Sequence, residues 1–98
     1  MYFIVWEYEV RPDRLAAFED RYGPGGAWSR LFRTADTFRG TELYRDTARP
    51  THFVTVDRWT SAAAFETFLP TVREEYERLD REGDELTISE RRLGAFEA

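Results

Sequence analysis

Cysteine and lysine are both absent from the 98-residue chain, and histidine occurs once, as His52. Without cysteine there is no disulfide, no thiolate metal site and no thiol nucleophile. Without lysine, a P-loop has no ammonium to reach its phosphates. A Ser-His-Asp triad would have to use His52 itself, and no serine stands in a nucleophile elbow. No HExxH pair occurs, and Gly23-Pro24-Gly25-Gly26 is a poor phosphate cradle because Pro24 lacks an N–H. The net charge is −5 with the signs interspersed, so a nucleic-acid backbone finds no basic patch. No apolar run reaches the length of a membrane span. The start, Met1-Tyr2-Phe3-Ile4-Val5-Trp6-Glu7, lacks the basic and apolar regions of a signal peptide. These exclusions point to a cytoplasmic protein with neither nucleic acid nor membrane as partner.

What is abundant is aromatic. Eight Phe, five Tyr and three Trp can each bury roughly 150–250 Å², which offsets the small size of a single domain spanning residues 1–98. Tyr2 to Val10 reads as a strand with Tyr2, Ile4, Trp6, Tyr8 and Val10 on its core side. Its other side is apolar at Phe3 and Val5 and acidic at Glu7 and Glu9, as in a sheet covered on both faces. Arg11-Pro12 ends it, and Asp13 is placed to cap a helix with Leu15, Phe18 and Tyr22 inward. The glycine elbow at residues 23–26 reverses the chain, and helical spacing resumes at Trp28, Leu31, Phe32 and Ala35.

Strand two runs from Phe38 to Asp46, with Phe38, Gly40, Glu42 and Tyr44 sharing one face by simple alternation. The polar turn Asp46–Thr51 leads into strand three, Phe53 to Trp59. Ser61 or Thr60 then caps a helix carrying Phe65, Phe68 and Leu69, which Pro70 kinks or restarts. Val72, Tyr76 and Leu79 continue its stripe, and Glu74–Arg78 and Glu77–Arg81 have ion-pair spacing. Leu86 to Phe96 is the last strand, with Leu86, Ile88 and Phe96 expected on one side. The order β-α-β-β-α-β predicts a ferredoxin-like α+β sandwich with a four-stranded antiparallel sheet. Its uncovered sheet face would be a large apolar patch, so two copies are expected to pack back to back as a homodimer.

Chemistry has few candidates. Glu7, Glu42 and Asp57 lie on neighbouring strands, where arginines such as Arg58, Arg91 and Arg92 are expected to pair with them rather than a metal. Trp6, Trp28, Tyr44, Trp59, Phe65 and Tyr76 come from several elements and can line a sheet–helix cavity suited to a planar aromatic ligand, with Phe32 beside them. Trp59 at the strand exit and Trp28 after the elbow are the expected pocket walls. The plain alternative is that these rings are core.

The segment from Phe53 through Trp59 and Ser61 to Phe65 resembles the antibiotic biosynthesis monooxygenase family, whose third strand ends in a tryptophan before a serine-containing helix start. Phe38-Arg39-Gly40-Thr41-Glu42-Leu43-Tyr44-Arg45-Asp46 is similar to that family's second strand. The resemblance implies a dimeric α+β barrel and, in quinone-forming members, oxygenation of a phenol without metal, flavin or other cofactor. On that reading Trp59 and Trp28 position the ring, while Tyr44 or His52 relays a proton. Trp6, Phe32, Phe65 and Tyr76 complete the binding surface. The haem-degrading branch needs an asparagine on strand one and a histidine on helix two, where this chain has Glu7 and no histidine. Two other readings stand beside it: a non-catalytic dimeric binding or stress-associated module, and a lyase or isomerase using Glu42 or Asp57 as base.

Overall fold

The computed structural model describes every residue from Met1 to Ala98. Four strands, β1 (Tyr2–Val10), β2 (Phe38–Arg45), β3 (His52–Trp59) and β4 (Thr87–Glu97), form one antiparallel sheet in the order β2-β3-β1-β4. The first crossover holds α1 (Leu15–Tyr22) and α2 (Ala27–Phe32); the second holds α3 (Ala62–Phe68) and α4 (Arg73–Gly83). This is the ferredoxin-like α+β fold expected from the element order. No helix is long and apolar enough to cross a membrane.

Both crossovers are split where the sequence demands it. At the glycine elbow, the carbonyls of Pro24 and Gly25 accept from the guanidinium groups of Arg33 and Arg30, so the loop is tied to its own helix. Pro70 falls in a 3₁₀ turn, Leu69–Val72, which absorbs its missing donor between α3 and α4. Ser61 caps α3, its hydroxyl accepting from the Ala64 N–H at 3.0 Å. Asp13 does not cap: Pro12 draws it into a 3₁₀ turn, Pro12–Arg14, that precedes α1. Neither ion pair expected along α4 forms, since exposed pairs gain little over solvated charges; Arg21 of α1 instead reaches Glu82 at 3.0 Å.

One sheet face carries the helices, and its packing falls into two groups. Tyr8, Val10, Phe18, Tyr22, Phe53 and Leu86 form one. Ile4, Phe32, Phe38 and Trp59 form the other, and Trp6 and Trp28 touch both. Gly83 permits a close approach in the first group, because a Cβ there would lie 2.2 Å from the Tyr22 hydroxyl oxygen.

Two departures from simple alternation matter. In β2, Phe38 pairs with Trp59 and Gly40 with Arg58, leaving Arg39 as the extra residue of a bulge, with Gly40 at φ +117°. Phe38, Thr41 and Leu43 therefore share the helix-covered face, and only Gly40, Glu42 and Tyr44 point the other way. In β4, register shifts opposite Val5/Trp6 and Glu9/Val10 break the expected alignment. Leu86 is buried just before the strand, whereas Ile88 and Phe96 are exposed.

Candidate functional site

The seam between the two packing groups is not completely filled. A cavity of about 50 Å³ remains there, several times the roughly 10–15 Å³ that one ordered water needs. Every layer contributes to it. β1 supplies Trp6 and Tyr8, and α1 supplies Tyr22. From α2 come Trp28 and Phe32, one helical turn apart, and from α4 Tyr76 and Asp80, spaced the same way. The floor is Thr41, Thr55 and Asp57 from β2 and β3, and Glu90 of β4 completes the rim. Trp28 stands edge-on to Tyr76 with ring centroids 4.8 Å apart and tilts against Phe32 at 5.8 Å.

Asp57 is the chemical centre of this space. It falls in the every-second-residue series Phe53, Thr55, Asp57, Trp59 of β3, so it shares their face and points to the helices. The Thr41 hydroxyl donates to its Oδ1 at 2.6 Å, and no arginine, lysine or histidine pairs with it. Burial lifts its pKa from 3.8 to about 6, more than the Thr41 hydrogen bond lowers it. Asp80 and Glu90 at the rim are also raised, first by desolvation and then by the neighbouring carboxylates. Burial pushes the Tyr22 hydroxyl up to about 12 and raises Tyr76 and Tyr8 as well. Tyr8 shares a hydrogen bond of 3.3 Å with Thr55 Oγ1. The Trp28 indole N–H is buried with no hydrogen-bond partner, although the Tyr22 hydroxyl is a near neighbour.

The residues singled out from the sequence divide sharply. Trp6, Trp28, Phe32 and Tyr76 are brought together on the cavity wall. Trp59 is wholly buried one layer behind, its ring 5.4 Å from Phe32 and 5.2 Å from Phe65. The rings around it make it core, though its indole N–H is also buried without a hydrogen-bond partner, and Phe65 packs with it rather than on the cavity. Tyr44 and His52 are not brought there, because both lie on the opposite face of the sheet. Tyr44 is exposed and donates to Glu42. His52 sits between Glu7, at 3.1 Å, and Asp46, at 3.5 Å. A proton relay through either would have to cross the sheet.

Glu7 and Glu42 meet Arg91 and Arg58 on that opposite face, and Asp57 does not converge with them. Asp80, Asp84 and Glu90 bring three carboxylate oxygens within 4.8 Å of one another, but all three are exposed. Sequence reasoning missed Tyr8, Tyr22, Thr41, Asp80 and Glu90 as site residues. The available signals were the fourfold spacing of Tyr76 and Asp80 and the placement of Asp57 on the face of Phe53 and Trp59.

The sequence profile described as antibiotic biosynthesis monooxygenase matches residues 1–76. Among solved structures, SnoaB, a cofactor-independent oxygenase from Streptomyces nogalater, superposes with TM-score 0.73 at 18% identity, covering 99% of this chain and 91% of that one. A structure described as an antibiotic biosynthesis monooxygenase gives 0.69 at 18%, covering 100% and 98%. A Pseudomonas aeruginosa protein gives 0.68 at 17%, covering 99% and 92%. At such identities the structural likeness speaks to the fold. No curated protein matches by sequence.

Proposed function

The chain belongs to the antibiotic biosynthesis monooxygenase family, and from that premise we propose that it is a cofactor-independent oxygenase of a small phenolic ring, with Asp57 as its base. The observation that carries this reading is an unpaired carboxylate of raised pKa inside an aromatic-walled cavity. A base with pKa about 6 is mostly ionised at neutral pH yet still holds a proton well, the compromise that general-base catalysis favours. Thr41 fixes one carboxylate oxygen, leaving the other to face the ligand.

The steps balance without an external reductant. Asp57 takes the phenol proton, and the electron-rich ring carbon of the phenolate bonds to dioxygen. The resulting hydroperoxide loses the hydrogen of that carbon as its O–O bond breaks, giving a quinone carbonyl and one water. The substrate supplies all four electrons, and the proton on Asp57 leaves with the water. The unpartnered Trp28 N–H is available to donate to the phenolate oxygen. Trp6, Phe32 and Tyr76 hold the ring flat, and Trp59 and Phe65 support that wall from behind.

Oxygen uptake with dihydroxynaphthalenes is the test. Asp57→Asn should cut turnover roughly 10²–10⁴-fold while ligand quenching of the cavity tryptophans persists. The wild-type rate should rise with pH through about 6. Uptake unchanged in the variant overturns the assignment. The same carboxylate would serve an isomerase or lyase, and conversion that proceeds equally under argon selects that reading.

We further read the functional unit as a homodimer. Phe3, Val5, Val54, Val56 and Phe96 lie together on the sheet face that no helix covers, and burying them against a second copy removes an apolar patch. A monomer in sedimentation at micromolar concentration would remove this proposal.

A further inference from the structure

The cavity has an unusual charge balance. Six of its lining residues are aromatic, three are carboxylates, and none is a cation. Two arginines stand close by without lining it: Arg21 donates to the Leu79 carbonyl and to Glu82, and Arg92, near enough to act on Tyr76, has its guanidinium 3.5 Å from the Tyr2 hydroxyl. A neutral or anionic ligand would leave Asp57 without a counter-charge in the interior and Asp80 and Glu90 without one at the exposed rim. A ring that turns its face to the space presents the negative side of its quadrupole there.

We propose that this site selects a phenol bearing a positively charged amine, with the ring among Trp6, Trp28, Phe32 and Tyr76, its hydroxyl toward Asp57, and the cationic group at the rim against Asp80 and Glu90. The proposal rests on the oxygenase reading only for the hydroxyl's direction; the preference for a cation follows from the walls alone. Depth and rim are chemically distinct. Asp57 at the floor already holds the Thr41 hydroxyl and has Tyr8 and Tyr76 as neighbours, whereas Asp80 and Glu90 are exposed and repel each other and Asp84. A cation at the rim relieves that repulsion while its methyl or methylene groups lie on the rings.

Two probes of matched shape decide the matter: (3-hydroxybenzyl)trimethylammonium, whose methylene insulates the phenol from the charge, and its neutral isostere 3-neopentylphenol. Calorimetric titration under argon, where no turnover occurs, should show the cation binding roughly tenfold tighter at pH 8 and low salt. The preference should shrink as pH falls and the carboxylates, all raised from their ordinary values, take up protons. The double variant Asp80→Asn, Glu90→Gln should lose it at pH 8. Equal or tighter binding of the isostere at pH 8 overturns the proposal, as does a preference that survives in the double variant. Should the double variant fail to fold, the relative affinity of the two probes for the unaltered protein still supports or overturns it. The oxygenase reading fails separately, by absent oxygen uptake, and a cation preference found in that case stands on its own.

Discussion

The two faces of one sheet treat their carboxylates in opposite ways. On the open face, Glu7 is held by His52 and Arg91, Glu42 by Tyr44 and Arg58, and the hairpin's Asp46 by the backbone N–H groups of Ala48 and Arg49; each has its pKa lowered. On the helix-covered side, Asp57, Asp80 and Glu90 have no cation and are raised. Glu42 is one residue from Thr41, the hydroxyl that serves Asp57, so proximity in sequence decides nothing. The pleat sorts the strand acids into a paired set on the open face and an unpaired set on the covered face, where Asp57 is enclosed and Glu90, beside Asp80 of α4, stands exposed at the rim. Only the second stores a tendency to take up a proton or a positive charge, and that is what a reactive or binding site needs.

The contrast can be broken most forcefully through packing. Trp59→Ala on the covered face should cost about 3–5 kcal/mol in urea unfolding, as for other large core truncations. A loss near zero would mean that this face is not the one held by packing. The next effect is electrostatic. The folded pKa of Asp57, about 6, lies above the ordinary 3.8, so its stabilising contribution is complete below about 4 and lost as pH rises through 6. Asp57→Asn should therefore stabilise the fold at pH 8, by on the order of 3 kcal/mol, and bring no gain at pH 4. A variant equally shifted at both pH values would show that the carboxylate is not strained by enclosure. Smallest is Glu42→Gln on the open face, which should lower the unfolding midpoint slightly at pH 8 and leave it unchanged at pH 3. Because the pKa of Glu42 is lowered from 4.5, its contribution is present above that value and fades as pH falls, opposite in sign to Asp57. Midpoints measured from pH 3 to 8 check both signs in one series.

Much of the fold was legible because hydrophobic period changes cleanly, from two along Tyr2–Val10 to helical at Leu15, Phe18 and Tyr22. Four of the cavity rings were legible for the same reason. Trp59 was harder to place, since a large indole at a strand exit suits a pocket wall or a core equally, and only the surrounding rings of Phe32, Phe38, Phe65 and Phe68 decide. His52 and Tyr44 carry reactive groups, but reactivity says nothing about which side of a sheet a residue occupies. Asp57 was grouped with Glu7 and Glu42 by strand adjacency; its even spacing from Phe53 and Trp59, which puts it on their face, was the better guide. The irregularities of β2 and β4 had no periodic signature. A bulge announces itself only through a glycine such as Gly40 or Gly94, and glycines have several uses.

The bulge at Arg39 also bears on how chain length can vary in this fold. Phe38 faces Trp59 and Gly40 faces Arg58 whether or not a residue intervenes, so Arg39 is a spare link in the strand. Losing it would straighten β2 without turning any other side chain over, and Thr41 would stay beneath Asp57. A deletion between Gly40 and Arg45 would swap hydroxyl for carboxylate or tyrosine across the sheet and rewrite the floor of the cavity. One-residue gaps among relatives are therefore expected to collect at position 39, where the lineage can add or drop a peptide unit and keep its chemistry.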